Sequence, residues 1–444
     1  MPMRPLLFLL LTCAGTAFAQ TTEAVDKGSL ALADMGWINL PTVLKLAGAE
    51  NLEVRLAEEK SREAQAREDG TLWQMFPTLS PGVGYRNHSG RTQSVTGQVF
   101  DVDKESLSAG AAIQLQLDFG EALYRRLAAQ QTALAAGHGL EAQRRRAVQE
   151  ATQAYFDLCL AEMAVLLHEK SVRIARDYHE QVSRGVAAGL ASKSDELRAS
   201  AQLNRAEVRQ KQAVTTLAKE STRLCQLLRL RIVGTLRPMV PQLTPLAFAE
   251  KDAPVQQLLQ QAMVRRPELA ENESLTAAAG KEADGARYGP LYPTLSAQYF
   301  AGGMGGGPSS ARRDYASSAD TSVTLSWHIG AGGLFDHSRE AAADARERQL
   351  RLRGAGLREQ ITREVVDAHA QARALVDQLE SLRPAMESTH AALELALRRK
   401  EFSVGVVMEA IQSQQDAVQA KLEYFQAVTE ANKAQYRLRY AIGD

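Results

Sequence analysis

The feature that most constrains the fold is an internal repeat in which four landmarks occur twice in the same order. Pro77 in FPTLS corresponds to Pro293 in YPTLS, at an offset of 216 residues. Three further pairs have similar offsets, namely Gly120 and Gly330 at 210, Gly189 and Gly405 at 216, and Leu224 and Leu438 at 214. This period is too long for a solenoid. We therefore predict one structural unit that is duplicated.

Each predicted unit reads as a helix, two strands and two long helices. The first unit covers residues 20–234 and the second covers residues 255–444, with a Pro-rich connector at 235–254. The predicted strands lie near 79–88, 107–119, 294–302 and 321–329. The predicted helices lie near 43–74, 121–184, 192–230, 255–287, 333–399 and 407–442. The Gly-rich segment 302–307 is predicted to be a flexible loop between the third and fourth strands.

Residues 1–19 have the pattern of a secretory signal peptide. Arg4 precedes an apolar run at 6–11, and Ala17-Phe18-Ala19 fits a small-residue cleavage site. An alternative is a lipoprotein signal that is cleaved before Cys13, although Thr12 is larger than the residue usual there. No later segment has 18 consecutive apolar residues, so no transmembrane helix is predicted. The pattern indicates an exported protein that is either soluble or inserted as a β-barrel.

The composition favours long helices over one thick globular core. Lys and Arg number 52 against 52 Asp and Glu, which argues against a nucleic-acid binder that relies on phosphate attraction. Hydrophobic residues at 45% exclude a disordered chain, and aromatic residues are only 6%. Apolar residues recur every seven positions, as in coiled coils, at Leu158, Val165 and Val172 and again at Ile411, Val418 and Phe425. A soluble helical bundle would explain these seams equally well.

Two of the predicted strands alternate strictly between apolar and polar residues. The apolar set, which we assign to a lipid-facing surface, comprises Ile113, Leu115, Leu117, Val323, Leu325 and Trp327. The alternative is an antiparallel sheet packed against a helix. Four strands cannot close a membrane barrel, because a spanning sheet must leave no open edge. Two copies would supply eight strands and three copies twelve, and this arithmetic does not choose between them.

Together, these features resemble the TolC-type outer-membrane efflux proteins. The signal peptide, the duplication, the two strand pairs, the long helical hairpins and the Arg266-Pro267-Glu268 segment all correspond, over about residues 38–443. The resemblance implies a mainly α fold that forms a homotrimer, with a 12-stranded β-barrel in the outer membrane and an α-barrel through the periplasm. It also implies a passive conduit that docks to a periplasmic adaptor (membrane fusion) protein and an inner-membrane transporter.

The resemblance also suggests two groups of site residues. The helical turns that match the family's adaptor-docking tips contain Arg184, Gly185, Gly189 and Leu190, and Phe402, Ser403, Val404 and Gly405. Asp195 and Glu409 lie just past these turns, where the family often carries acidic residues around a periplasmic aperture. The alternative for these two carboxylates is an ordinary solvated helix face.

No pattern of catalytic, metal-binding or cofactor-binding residues stands out. The eight His are scattered without an HExxH motif, and the Gly-rich segment lacks the Lys and Ser or Thr of a phosphate loop. We therefore predict a protein that is not an enzyme and has no cofactor, metal or nucleic-acid partner. The alternative function from another class is an exported coiled-coil structural or adhesive protein without a pore.

Overall fold

The structure is a computed structural model that describes residues 36–231, 234–239, 243–246, 254–307, 314–330, 335–400 and 407–444. The predicted signal peptide, Cys13 and the second-tip residues Phe402, Ser403, Val404 and Gly405 lie outside the described residues.

The described chain is mainly helical with a small antiparallel sheet, and one order of elements occurs twice. In the first half the elements are β1 (Trp37–Ile38), α1 (Leu40–Glu50), α2 (Leu52–Trp73), β2 (Thr78–Gln93), β3 (Val99–Asp118), α3 (Phe119–Ala187) and α4 (Lys193–Leu228). In the second half they are β4 (Arg237–Pro238), α5 (Val255–Arg265), α6 (Pro267–Tyr288), β5 (Thr294–Gly307), β6 (Ala316–Ser326), α7 (His337–Lys400) and α8 (Val407–Ile442).

The described residues divide into two compact units, each built from both halves of the sequence. The first, here called the helical unit, comprises residues 36–56, 142–266 and 361–444. The second, called the strand unit, comprises residues 57–141 and 267–360 and contains the four long strands. The long helices α3 and α7 contribute residues to both units. The predicted division at the Pro-rich connector stays a prediction.

The core of the helical unit is built along the predicted seam of α3. Leu158, Val165 and Val172 are all buried. In α8, by contrast, the predicted residues Ile411, Val418 and Phe425 are only half-buried. Its buried stripe is wider than a two-helix seam and contains Ala417, Tyr424, Ala427, Val428 and Ala431. A wide stripe is typical of a helix that packs against several neighbours at once.

The two helices that we predicted as continuous near 43–74 and 255–287 are each broken, so those predictions were wrong. The first breaks at Asn51, which has an extended backbone with φ −61° and ψ 135°. The Asn51 side chain accepts a hydrogen bond from the backbone N–H of Glu53 at 2.8 Å, which caps the start of α2. Its Nδ2 donates to the carbonyl oxygen of Leu227 at 3.1 Å, at the C-terminus of α4.

The second break occurs at Arg266, 215 positions after Asn51. The buried Arg266 guanidinium donates to the carbonyl oxygens of Tyr440 and Ala441 near the C-terminus of α8, at 3.4 and 3.5 Å. It also pairs with Glu364 at 2.9 Å and lies over the Tyr440 ring. Each break residue thus satisfies carbonyls at the end of the last long helix in its half, groups that the helix itself leaves without partners.

The described residues of the Pro-rich connector, 235–239, 243–246 and 254, belong to the helical unit. Arg237 and Pro238 pair in parallel with Trp37 and Ile38. The buried Asn432 of α8 clamps the following segment, because it accepts from the backbone N–H of Leu246 at 2.7 Å and donates to the carbonyl oxygen of Thr244 at 3.0 Å. The connector therefore contributes to the core of this unit.

The strand unit contains one antiparallel sheet with the order β2-β3-β5-β6. The four strands occur near their predicted positions, but the boundaries differ. Trp327 lies one residue beyond the end of β6, so its assignment to a strand was wrong. The segment 302–307 is part of β5, so the predicted flexible loop there was also wrong.

Close packing explains why glycines occur in β5. A Cβ at Gly303 or Gly305 would overlap Tyr315, which lies against the strand. A Cβ at Gly302 would overlap the backbone of β3 at Gly110. A run of glycines in a sequence can indicate either a loop or a strand that another chain segment approaches closely. The sequence pattern does not distinguish these two cases.

We expect Asn51→Ala to destabilise the helical unit by about 1–2 kcal/mol, because it removes a helix cap and leaves the Leu227 carbonyl without its partner. The measurement is the thermal midpoint of the detergent-solubilised protein. Asn204→Ala is the control, since Asn204 lies exposed on α4. Equal midpoints for the two variants would contradict the capping role of Asn51.

Candidate functional site

The first candidate surface is the apolar face of the sheet, here called the apolar sheet face. Residues paired across antiparallel strands point to the same side of a sheet. One cross-strand row contains Leu117, Leu295 and Leu325, and the next contains Leu115, Ala297 and Val323. A further row contains Leu79, Ile113, Tyr299 and Thr321. The register therefore places apolar residues from all four strands on one face.

The structure brings five of the six predicted lipid-facing residues together on this face, all except Trp327. Val323 is 69% exposed, Leu325 52% and Ile113 42%, while Leu115 and Leu117 are half-exposed. Apolar side chains in contiguous rows at such exposure mark a surface that meets an apolar environment or a partner.

Sequence reasoning missed the contribution of β2 to this face. Leu79, Val83 and Tyr85 are strongly exposed and lie on the same side as Ile113. The glycines at 82 and 84 interrupt the polar half of the pattern, so the alternation is weak in this strand. The apolar half at 79, 81, 83 and 85 was the signal that could have identified them.

The opposite face of the sheet carries mainly polar and small residues. Gln114 and Gln116 of β3 lie there, and the strand ends at Asp118. The Asp118 carboxylate accepts from the backbone N–H of Glu121 at 2.9 Å and from the Thr294 hydroxyl at 3.2 Å. One side chain thus caps the start of α3 and ties β3 to β5.

The second candidate surface is the turn between α3 and α4, here called the first tip (residues 184–196). Gly189 has φ +74°, and its N–H donates to the Val186 carbonyl at 3.0 Å. The N–H of Leu190 donates to the Gly185 carbonyl at 2.8 Å. These two bonds form a Schellman motif with glycine at its left-handed position. The motif leaves Leu190 73% exposed at the apex of the turn.

The other side of the first tip is an N-cap. The backbone N–H of Asp195 donates to the Ser192 hydroxyl at 3.2 Å, and that hydroxyl donates to the Asp195 carboxylate at 2.7 Å. Lys193 forms an ion pair with Glu196, and this contact is the main reason why the pKa of Glu196 is lowered, with a hydrogen bond from Ser183 adding to it. Asp195 thus already has a local role in starting α4.

A small apolar cluster supports the first tip. Tyr178 and Val182 of α3 and Ala199 of α4 are buried together, with Val186 and Ile411 packed against them. Burial raises the pKa of Tyr178, and the negative charge of Asp195 raises it further. The cluster fixes the hairpin immediately behind the turn.

The second tip lies outside the described residues apart from the start of α8. Glu409 is exposed in the first turn of that helix. On the adjoining turns, Gln412 donates to Asp416 at 3.1 Å, and Gln415 donates to Gln202 of α4 at 2.7 Å. The aperture role of Asp195 and Glu409 stays a prediction.

The sequence matches a known family over most of its length. The profile of the family described as outer membrane efflux protein matches residues 43–228 and again residues 258–444. The chain belongs to the outer membrane efflux protein family. The two matched segments correspond to the two halves of the chain, which have the same order of elements.

Solved structures with the same fold include several outer-membrane channels. A membrane protein from Pseudomonas aeruginosa is 22% identical with a TM-score of 0.74, over 91% of this chain and 93% of that chain. The CmeC outer membrane channel of Campylobacter jejuni is 14% identical with a TM-score of 0.73, over 91% and 85%. The MtrE outer membrane channel of Neisseria gonorrhoeae, solved in an open state, is 18% identical with a TM-score of 0.69, over 91% and 89%.

No curated protein sequence matches the chain significantly. Among the described residues, no helix is both long enough and apolar enough to cross a membrane. The family and the structural neighbours support an outer-membrane location and a channel rather than an enzyme.

We expect Gly189→Val to loosen the first tip by about 1–2 kcal/mol or more, because a β-branched residue is strained at positive φ. Hydrogen exchange should accelerate at the amides of Leu190 and Ala188. Gly137→Ala is the matched control, since Gly137 lies within α3 and has open space around its Cα. Unchanged exchange in Gly189→Val would contradict the Schellman assignment.

Proposed function

We propose that the chain is one of three identical subunits of a passive outer-membrane efflux conduit. The single observation that carries this proposal is the apolar sheet face, which is exposed on all four strands and opposed by a polar face. A sheet that is apolar on one side and polar on the other suits a barrel wall between lipid and a water-filled lumen.

The edges of the sheet support assembly from several copies. Strands β2 and β6 lie at its two edges, each with one row of backbone groups that no other described strand pairs. Such groups cost several kcal/mol each in hydrocarbon unless they are paired. Pairing β6 of one copy with β2 of the next continues the antiparallel order and closes a ring.

The number of copies comes from the family resemblance. Four strands per copy give eight in a dimer and twelve in a trimer, both within the range of membrane barrels. The resemblance to TolC-type proteins favours twelve. In this arrangement the long helices continue as a periplasmic α-barrel, and transport is driven by a separate inner-membrane transporter.

The tips are the proposed docking sites for a periplasmic adaptor protein. At the first tip, Leu190 offers an exposed apolar side chain on a turn that Gly189 and Gly185 hold in one conformation. A preorganised turn loses little conformational entropy when a partner binds. At the second tip, Phe402, Ser403, Val404 and Gly405 are proposed for the same role on sequence grounds.

Asp195 and Glu409 are the proposed aperture residues. Three copies of each carboxylate around a narrow opening would attract cations and repel one another. Because the Asp195 carboxylate also accepts a hydrogen bond from Ser192, the N-cap residue of α4, we expect its charge to affect the local fold as well as ion selectivity.

A non-membrane coiled-coil protein is the alternative function, and the buried seam of α3 is the observation that favours it. This alternative does not explain why the apolar sheet face is exposed. A soluble monomer in a periplasmic extract would support that alternative, whereas a heat-sensitive trimer in the outer-membrane fraction would support the conduit.

We expect Leu115→Arg and Leu325→Arg to prevent assembly in the membrane, because an arginine facing hydrocarbon costs about 2–4 kcal/mol in each copy. Gln116→Arg and Ser326→Arg, one residue further on in the same strands, should be tolerated. The measurement is the yield of heat-sensitive trimer in outer-membrane fractions. Equal yields from the two faces would overturn the lipid-facing assignment.

We expect Leu190→Asp to reduce capture of the adaptor by more than about tenfold while trimers still form, because it places a charge at an apolar contact. The measurement is the amount of periplasmic adaptor that copurifies with the tagged channel from cross-linked cells. Thr215→Asp is the control, since it adds the same charge to an exposed position on α4 remote from the tip. Undiminished capture by Leu190→Asp would refute docking at this turn.

A further inference from the structure

The strand unit contains a cavity that is separate from both candidate surfaces, the apolar sheet face and the first tip. It has a volume of about 610 Å³ and is formed by α2, α3, α6 and α7, here called the four-helix cavity. Cavities of this size accommodate small organic molecules. Its lining includes small residues from each of the four helices, namely Ala64, Ala128, Gly285, Ala286, Ala342 and Ala343.

The small residues leave room that larger side chains would fill. Ala128 and Ala286 are buried, so they form part of the floor. A Cβ at Gly285 would approach the Cβ of Tyr124 to 2.8 Å, which shows how closely α6 meets the side chain of Tyr124. Tyr124 also lines the cavity and adds an aromatic surface to its apolar floor.

The charged residues of the cavity do not balance. It is lined by five cations against three glutamates. Each glutamate is already paired with an arginine of the same cavity, the pairs being Glu63 with Arg67, Glu121 with Arg125, and Glu282 with Arg346. Lys60 and Arg339 also line the cavity, and neither forms an ion pair with any residue that the structure describes.

We propose that the four-helix cavity binds an amphipathic organic anion, with its apolar body on the alanine floor and its sulfonate or carboxylate attracted by the positive charge that Lys60 and Arg339 add to the lining. The surplus of two positive charges selects for a negative ligand, and the apolar floor selects for one with a hydrocarbon or aromatic body. Arginine adds a planar fork of donors that fits an oxyanion.

As a statement about cargo, this inference rests on the proposed conduit function, since it gives the substrate class as anionic amphiphiles. As a statement about binding, it can be measured without transport. A competing occupant is a carboxylate side chain from a second copy of the chain, which would fill the cavity and exclude small anions.

The test uses the full-length protein in nanodiscs of zwitterionic lipid, with naphthalene-2-sulfonate as the probe in equilibrium dialysis. We expect saturable binding that is at least about tenfold tighter than that of the uncharged naphthalene-2-methanol. Binding of the sulfonate should weaken as salt rises from about 50 to about 500 mM, because the cations are exposed. Equal affinities for the two probes, or no sulfonate binding, would overturn the proposal.

Variants assign the binding to this cavity. Lys60→Gln and Arg339→Gln should each weaken sulfonate binding by at least about threefold, and the double variant by about tenfold. Arg62→Gln and Arg348→Gln are the controls, since they lie on the same two helices but outside the cavity lining. If the control variants weaken binding as much as the cavity variants, the site lies elsewhere.

A planar-bilayer recording separates failure of this inference from failure of the proposed function. A conducting channel that does not bind the sulfonate would overturn the anion site and leave the conduit intact. A protein that binds the sulfonate but never conducts would keep the site and overturn its role in transport. We expect conduction, together with a lower anion-to-cation permeability ratio in the double variant than in the wild type.

Discussion

The constraint on which the rest of the structure depends is the hydrogen bonding of a four-stranded sheet that is apolar on one face. Paired residues of β3, β5 and β6 align leucine, valine and tyrosine side chains in rows, so the face cannot be hidden by a small local shift. The same register leaves β2 and β6 at open edges. The apolar surface and the open edges are the two observations that support the proposed barrel wall.

The helical unit secures the C-terminal ends of α4 and α8 by side-chain hydrogen bonds. The break residues Asn51 and Arg266 hydrogen-bond to carbonyls near the ends of α4 and α8. Buried helix ends need such partners, because their last carbonyls have none within the helix. Both residues are buried, and their positions in the two halves correspond, so the same solution serves both long helical hairpins.

Much of the fold could be predicted from periodicity, and the errors share one cause. The alternation at Ile113, Leu115 and Leu117 identified a strand and its apolar face. The continuous helix predicted over 43–74 was wrong because Asn51, besides its local cap on α2, also hydrogen-bonds to a carbonyl 176 residues away. The strand glycines at 302–307 were misassigned because their reason is contact with β3 and Tyr315. Local patterns do not report distant partners.

The sequence by itself determined the order of elements, the family, and which residues of the strands are apolar, because these follow from spacing along the chain. Only the tertiary structure decided that apolar residues from all four strands share one face, since that depends on the register between strands far apart in sequence. The tertiary structure also decided that Lys60 and Arg339 line one cavity, because these residues lie far apart in sequence and come together only when the four helices pack.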